Sequence, residues 1–367
     1  MSLRAAGALM IGGSAAIALS CPALGNAATT IATVTGPTTV SAYGDVVAWS
    51  SYVPRTRRFR LTAQIAGRIR TLPVRGRTVP FDVDLGPGAG GRVVAVYSRC
   101  RRDPDYALPA GSLPQPNYSR GVGCDIYRYD FSTRRESKVA AVSGKASSEY
   151  MPSIWRNRIA FARVYERRHG RAGVVTWVYT RLLSRHSRSK RVPAGPWGFF
   201  ELGSGSQLPR GAGGAGVMGI DLAGRRLGLA WEYMPFSNLP GRSSGEARYN
   251  ILLDTLGGGR QLIASLSTPE IIQNGLFGPS LSNGSLSYGE FQPDVYGPGP
   301  NSFIVRYSIA QRTLENAPLE GSPFTGMLVS QSTAQARTIA VHLTASKTFT
   351  INQYDDLVYG PGLPHVP

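Results

Sequence analysis

Residues 44–50 read GDVVAWS, a glycine turn followed by small and large apolar residues in alternation, with an aromatic side chain near the end. The pattern recurs as GRVVAVYS at residues 91–98 and as RNRIAFA at residues 156–162. Weaker copies occupy residues 224–231, 283–289 and 338–342. Alternation with a period of two is typical of β-strands. Its recurrence along the chain indicates an internal repeat.

Each copy stands within a unit of four strand-like segments. A second segment follows the copy, for example Arg58 to Leu61 or Asp125 to Tyr129, and a turn then leads to a third, polar one such as Glu136 to Val139. A further segment precedes the copy, as at Phe81 to Asp84 and Pro152 to Ile154. Antiparallel units of this kind bury both faces by stacking radially on their neighbours. The repeat therefore predicts an all-β fold, a six-bladed β-propeller of four-stranded antiparallel blades.

Three alternatives compete with that prediction: a seven-bladed propeller, a β-sandwich, and a two-domain all-β protein whose strands resemble one another. A propeller also needs its two chain ends to share one blade. Ile31 to Val34 is expected to supply the outer strand of the last blade, beside Leu357 and Val358.

A more specific pattern surrounds the third copy. Residues 152–161 read PSIWRNRIAF and follow Ser148-Glu149, while residues 124–130 read CDIYRYD. These segments resemble the central repeat of the TolB-like propellers of the periplasm, well over residues 80–165 and faintly elsewhere. The resemblance implies a six-bladed fold and a binding or scaffolding role, and it implies no catalytic residue.

The chain departs from the TolB-like pattern at its turns. Where the family usually has Asp-Gly, this sequence has Ala89-Gly90-Gly91 in one copy and Arg156-Asn157 in another. Glycine and asparagine also tolerate the positive φ of such turns. The departure therefore makes the repeat less diagnostic of the family, but it does not argue against the propeller fold.

The first 27 residues predict export. Arg4 precedes the apolar run Ala5 to Leu19, and Gly25-Asn26-Ala27 offers small residues to a signal peptidase. The run is short for a bilayer span and contains several glycines. We expect residues 1–27 to be removed, leaving residues 28–367 as a single propeller domain. That domain should be secreted or envelope-associated, monomeric and without a transmembrane span. A retained anchor and a lipoprotein modified at Cys21 are the alternatives.

Two cysteines, Cys100 and Cys124, lie beyond the leader. In an oxidising compartment an isolated pair predicts one disulfide. Closing a loop of about 25 residues would stabilise the fold by about 3.5 kcal/mol in the chain-entropy description. The alternative is a pair of free thiols.

Positive charge is concentrated in the first half of the mature chain. Residues 28–191 hold 29 basic and 10 acidic side chains, whereas residues 192–367 hold 10 basic and 12 acidic ones. The candidate binding residues are clustered arginines of the first half: Arg55, Arg57, Arg58, Arg60, Arg99, Arg101, Arg102, Arg167, Arg168 and Arg171. They are expected on the propeller rim, where they would attract anionic envelope polymers. A solvated basic rim without a specific partner is the alternative.

No linear catalytic motif is present. The closest string to a nucleophile elbow, residues 203–207, lacks the final glycine, and the four histidines have no zinc-type spacing. We expect no cofactor. Four carboxylates near the predicted channel are the remaining candidates for calcium binding or catalysis: Asp82, Asp84, Glu149 and Asp221. The alternative for them is turn capping and pairing with arginines.

Together these observations predict an exported, non-catalytic propeller that binds or scaffolds an envelope protein or an anionic envelope polymer. Export and the lack of interleaved aromatic residues in the basic clusters disfavour nucleic acid as the partner. The alternative is an enzyme, a lyase or hydrolase with its site at the channel mouth.

Overall fold

The computed structural model describes residues 28–103, 122–165, 177–184, 186–192, 215–233, 246–269, 275–282, 284–291, 302–318, 327–331, 337–343, 348–355, 357 and 359–361. In these ranges the strands form six antiparallel sheets. The one helical element described there is a single 3-10 turn, Pro54–Thr56. No helix within those ranges has the length and apolar character needed to cross a bilayer.

The first strand, β1 (Thr29–Val34), belongs to the last blade, and blades I to III then follow in chain order. Blade I contains β2 (Val40–Tyr43), β3 (Val46–Val53), β4 (Arg58–Ile65) and β5 (Arg68–Thr71). Blade II contains β6 (Asp84–Pro87), β7 (Val93–Arg102), β8 (Val122–Asp130) and β9 (Arg135–Lys138). Blade III contains β10 (Ser147–Trp155), β11 (Arg158–Tyr165), β12 (Trp177–Leu182) and β13 (Lys190–Arg191).

Blades IV to VI repeat this arrangement. Blade IV contains β14 (Ala215–Ala223), β15 (Arg226–Tyr233), β16 (Glu246–Thr255) and β17 (Arg260–Pro269). Blade V contains β18 (Gly275–Ser282), β19 (Ser285–Phe291), β20 (Ser302–Ser308), β21 (Thr313–Pro318) and a fifth strand, β25 (Gly360–Pro361). Blade VI contains β22 (Met327–Gln331), β23 (Thr338–Leu343), β24 (Phe349–Tyr354) and β1.

The first strand of each blade is innermost, and these strands touch in a closed ring. Strand β2 contacts β6, β6 contacts β10, and the series continues through β14, β18 and β22, which returns to β2. The predicted six-bladed β-propeller is therefore confirmed. The seven-bladed and β-sandwich alternatives are wrong.

The ring closes by sharing blade VI between the two ends of the described chain. Strand β1 pairs antiparallel with β24, so that Val34 lies opposite Phe349. The expected N-terminal outer strand is thus present, but it lies beside β24 and not beside Leu357. Leu357 packs instead against the small cluster around Tyr354, between blades V and VI.

The repeated motif supplies the core between blades. Its six equivalent aliphatic side chains are no more than 2% exposed: Val47, Val94, Ile159, Leu227, Leu286 and Ile339. Six apolar clusters result, and each joins residues of two neighbouring blades. Removing these faces from water is the main driving force for folding. The same burial makes each blade depend on its neighbours.

Two glycines allow neighbouring innermost strands to approach each other. A Cβ atom on Gly86 of β6 would lie 2.0 Å from the carbonyl oxygen of Ile154 in β10. A Cβ atom on Gly219 of β14 would lie 1.8 Å from the carbonyl oxygen of Gly278 in β18. Because both obstacles are backbone atoms, no side chain fits at either position.

The innermost strand of blade II begins later than predicted. Residues Phe81 to Val83 lie before β6, which begins at Asp84. Hydrogen bonds between side chains and backbone link this segment to its neighbours. The Phe81 amide donates to Ser50 Oγ of β3 at 2.7 Å. The Asp82 carboxylate in turn accepts from the Ser98 amide at 2.7 Å.

Candidate anion-binding pocket

Arginine side chains line a pocket where blades I and II meet. The pocket has a volume of about 350 Å³. Its walls come from the start of β4, the connection from β5 to β6, and the end of β7. The lining residues are Arg58, Arg75, Gly76, Arg77, Thr78, Arg99, Cys100, Arg101 and Asp103. Five arginines and one aspartate give this lining a formal charge of +4.

The connection from β5 to β6 forms one wall because it pairs with β4. Phe59 and Arg77 exchange two backbone hydrogen bonds, with N–O distances of 2.7 and 3.0 Å. This pairing sets Gly76 against β4, where a Cβ atom would lie 3.0 Å from the Phe59 carbonyl oxygen. Arg58 then donates from Nη1 to the Gly76 carbonyl oxygen at 3.2 Å. The guanidinium of Arg58 is thereby held at the pocket wall.

Arg77 is the buried floor of the pocket. It is only 4% exposed, and its Nε donates to Asp103 Oδ1 at 3.1 Å. Its Nη1 donates to the Ser98 carbonyl oxygen at 3.1 Å, and its Nη2 lies 3.5 Å from Cys100 Sγ. The other carboxylate oxygen of Asp103 accepts from the Thr78 amide at 3.2 Å. The single acid of the lining is therefore bonded to the floor.

Arg99 is held at the side of the pocket. Its Nη1 contacts Glu136 Oε2 at 2.5 Å, and its guanidinium carbon lies 4.5 Å from the centre of the Tyr127 ring. The hydroxyl of Tyr97 donates to Glu136 Oε1 at 2.7 Å. Burial, followed by this hydrogen bond to Glu136, raises the pKa of Tyr97. These contacts fix the side chain of Arg99 while its charge is shared with Glu136.

A disulfide joins Cys100, a lining residue of the pocket, to Cys124, as predicted. The two cysteines lie directly opposite each other on β7 and β8. The bond therefore ties the two strands of blade II together at the end that forms the pocket wall.

Three of the predicted binding residues are brought together in the pocket: Arg58, Arg99 and Arg101. Arg55 and Arg57 are exposed on the connection from β3 to β4. Arg60 lies along β4 with its Cδ near Gly76, and Arg102 ends β7. The remaining three candidates, Arg167, Arg168 and Arg171, lie outside the described residues.

Two pocket arginines, Arg75 and Arg77, were not among the sequence candidates. They belong to a run of four arginines within residues 68–77. That density was an available signal, but the run lies on an outer strand and the connection after it, which no local pattern places beside β7. Only the pairing of Phe59 with Arg77 brings the run to the other clusters.

The candidate carboxylates have a different role. Asp84 accepts from Ser41 Oγ at 3.0 Å and from the Ile154 amide at 3.2 Å, so it joins blades I, II and III. Asp221 accepts from Ser153 Oγ at 3.2 Å and from the Leu281 amide at 2.6 Å. It joins blades III, IV and V in the same way. We call these two aspartates and their partners the inner belt.

Both aspartates of the inner belt are harder to ionise than a free carboxyl. Burial raises the pKa of Asp84 well above its usual value, and the nearby charge of Asp221 raises it further. Burial likewise raises the pKa of Asp221 to about 6, against the effect of its hydrogen bonds. The two groups are thus close enough to interact, although each is engaged by backbone amides.

Asp82 and Glu149 are engaged by other partners. Asp82 accepts from the amides of Ser98 and Met151, both at 2.7 Å. Glu149 accepts from Arg163 Nε at 2.9 Å and from Ser147 Oγ at 2.5 Å. In the part of the chain that the structure describes, no three metal-ligating side chains form a group that could hold an ion. The four carboxylates therefore do not assemble into the calcium site considered from the sequence.

Among known proteins, this chain resembles solved structures only. No family model and no curated protein matches this chain. TolB from Acinetobacter baumannii is 15% identical, with a TM-score of 0.42 over 78% of this chain and 55% of TolB, so the chain spans about half of that protein. The β-propeller domain of the Trilobed protease from Pyrococcus furiosus is 8% identical, with a TM-score of 0.42 over 91% of this chain and 85% of that one.

A third solved structure is a lectin. SapL1, in complex with α-methyl fucoside, is 12% identical, with a TM-score of 0.39 over 92% of this chain and 100% of its own. Similarities of this size carry no argument about function. The six-bladed propeller implied by the TolB-like resemblance is nonetheless the fold observed, on the strand topology itself.

Proposed function

We propose that this protein is an exported, non-catalytic binding module of the cell envelope, and that it holds an anionic partner at the arginine pocket. One observation carries the proposal: five arginines surround one pocket whose only acidic lining residue, Asp103, is bonded to the pocket floor. Arg77 and Arg99 have acidic partners, but the arginines outnumber these acids, and an excess of positive charge in a concave site attracts anions and raises their local concentration.

The chemistry of the lining supports an anionic partner of specific shape. Guanidinium groups present planar forks of N–H donors that match carboxylate and phosphate oxygens. The volume of about 350 Å³ lies within the range of ligand pockets, about 300 to 1,000 Å³. The partner would therefore insert one anionic group into the pocket, with the rest of a polymer or protein outside it.

Export is part of the same proposal. The leader-like residues 1–27 motivate it, and the Cys100–Cys124 disulfide is of the kind that persists in oxidising compartments. An exported protein meets the cell envelope, where wall polymers and lipid headgroups supply anionic groups, so we place its partner there.

A salt titration tests the proposal. The purified protein is sedimented with isolated cell envelopes at increasing salt concentration. Because screening shortens the reach of exposed charges to about 8 Å at physiological salt and about 3 Å at 1 M, the bound fraction should fall steeply. Binding that persists unchanged at 1 M salt would contradict an electrostatic site.

A further inference from the structure

We infer that the arginine pocket is a phosphate site and that it takes a phosphomonoester of about sugar size. This inference rests on the proposed function and specifies the ligand of the same pocket. It follows from the charge of the lining, from the number of donors it presents, and from the pocket volume.

The first step concerns which arginines remain available to a ligand. Arg77 is bonded to Asp103, and Arg99 is paired with Glu136. Arg58 and Arg75 have no carboxylate within salt-bridge distance among the described residues, and Arg58 is held by a neutral carbonyl oxygen. Arg75 is exposed. The fixed pairs thus form the floor and side of the pocket. Arg75, and the N–H donors of Arg58 that are not bonded to Gly76, are left for a ligand.

The second step distinguishes phosphate from carboxylate. A carboxylate carries one charge on two oxygens, and a single guanidinium fork already satisfies it in a bidentate pair. A phosphomonoester carries about −1.5 to −2 charges at neutral pH on three strong acceptor oxygens. Five arginines less their three acidic partners, Asp82, Asp103 and Glu136, leave a net charge of +2, and the lining offers several guanidinium groups and the Thr78 hydroxyl. A phosphate ester therefore matches that set better than a single carboxylate does.

The third step uses the pocket volume. About 350 Å³ is more than a bare phosphate ion fills and lies at the small end of organic ligand sites. A phosphorylated sugar or polyol fits that size, either as a free molecule or as the end of a polymer. Both sources present the same phosphomonoester.

The test is calorimetric titration of the full chain at constant ionic strength with a hexose phosphate and, as matched control, a hexuronic acid. We expect the hexose phosphate to bind at least tenfold more tightly than the uronic acid. Since a phosphomonoester gains its second charge near pH 6, its affinity should rise from pH 5.5 to 7.5, whereas that of the uronic acid should not. Equal affinity for the two ligands would overturn the inference.

Variants at two positions, Arg75 and Arg58, locate the site. Arg75→Ser should weaken the binding of hexose phosphate at least fivefold. Arg75→Lys keeps the charge but not the planar fork of donors, so its affinity should lie between those of Arg75→Ser and the wild type. Arg75 is exposed, so neither change should affect folding. Arg58→Ser, which also removes the bond to Gly76, is interpreted only where its melting temperature equals that of the wild type. Unchanged hexose phosphate binding in Arg75→Ser would overturn the assignment of the pocket.

The two sources and the two proposals can be separated. A polymer end is supported if hexose phosphate displaces the protein from envelopes, and a free ligand if it binds without displacing it. Envelope binding that is lost in Arg75→Ser, with no calorimetric binding of hexose phosphate, would refute the phosphate inference and leave the proposed function standing. If the protein binds hexose phosphate but never binds envelopes, the phosphate inference stands and the proposed function is refuted.

Discussion

The arginine pocket and the inner belt differ in how their ionisable side chains are paired. In the inner belt each aspartate lies between blades and accepts backbone amides, as Asp221 does from Leu222 and Leu281. In the pocket, Arg58 and Arg75 have no carboxylate partner among the described residues, although Arg77 and Arg99 are paired. Carboxyl groups whose oxygens are hydrogen-bonded by their own fold serve stability through those bonds, whereas guanidinium groups without a carboxylate partner at a cavity are available for binding.

The largest expected effect comes from the inner belt. Replacing Asp221 by Ala removes the acceptor of the buried Leu281 amide and the hydrogen bonds from the Ser153 hydroxyl and the Leu222 amide. The Leu222 amide still donates to Ser153 Oγ. At pH 5, where the carboxyl is mostly uncharged, the lost hydrogen bonds should lower the free energy of unfolding by about 4 kcal/mol. Urea denaturation measures this change. A loss below about 1 kcal/mol would show that the belt is not structural.

Breaking the disulfide should cost slightly less. Cys100 and Cys124 close a loop with a sequence separation of 24, and opening it should lower the free energy of unfolding by about 3.5 kcal/mol. The double variant Cys100→Ser with Cys124→Ser, compared with wild type in urea, measures the effect. A reductant should destabilise the wild type and leave the double variant unchanged. Equal sensitivity of both would show that the reductant does not act through this disulfide, and would contradict its stabilising role.

The pH dependence of the belt gives a third, smaller effect. The pKa of Asp221 is raised from 3.8 to about 6 by burial, so the folded state favours the protonated carboxyl. Its contribution to stability is therefore complete below about pH 4 and is lost as the pH rises through about 6. Relative to Asp221→Asn, which does not titrate, the wild type should lose about 2 to 3 kcal/mol of unfolding free energy between pH 4 and 7. A constant difference between the two would contradict the raised pKa.

Replacing Arg75 should have the smallest effect on stability. Arg75 is exposed and forms no ion pair with the described residues, so Arg75→Ser should change the free energy of unfolding by less than about 0.5 kcal/mol. The control is Arg77→Ser, which removes a buried guanidinium bonded to Asp103 and Ser98 and should destabilise strongly. Similar losses for both variants would remove the distinction between binding and structural arginines.

The fold could be predicted because its determinants are local. The alternation around Val47, Val94 and Ile159 marks a strand wherever it occurs, and these side chains are buried between blades. The expected N-terminal outer strand is also present, because closing a ring requires one. The strand that pairs with it was predicted wrongly. Val34 and Phe349 lie far apart in the sequence, and no local pattern indicates that they are opposite each other.

The candidate site could be predicted only in part. The sequence shows that arginines cluster around Arg58 and around Arg99. That these clusters line one pocket depends on the connection from β5 to β6, which carries Arg75. Pairing with arginines was considered for the carboxylates, and Glu149 does pair with Arg163, but the contacts of Asp84 and Asp221 between blades could not be predicted for a similar reason. Asp84 bonds to Ile154, 70 residues away, and Asp221 bonds to Leu281, 60 residues away. Side-chain to backbone contacts of that range leave no periodic trace in a sequence.

The central claim is that the pocket arginines serve binding, and a charge-matched pair of variants tests it most directly. One variant carries Arg58→Ser and Arg75→Ser in the pocket, and the other carries Arg226→Ser and Arg312→Ser on exposed positions of blades IV and V. Both lose two positive charges, and both are sedimented with envelopes at physiological salt once their melting temperatures equal that of the wild type. We predict that the pocket variant loses at least tenfold in affinity, while the control stays within twofold of wild type. Equal affinities of the two variants would contradict the account.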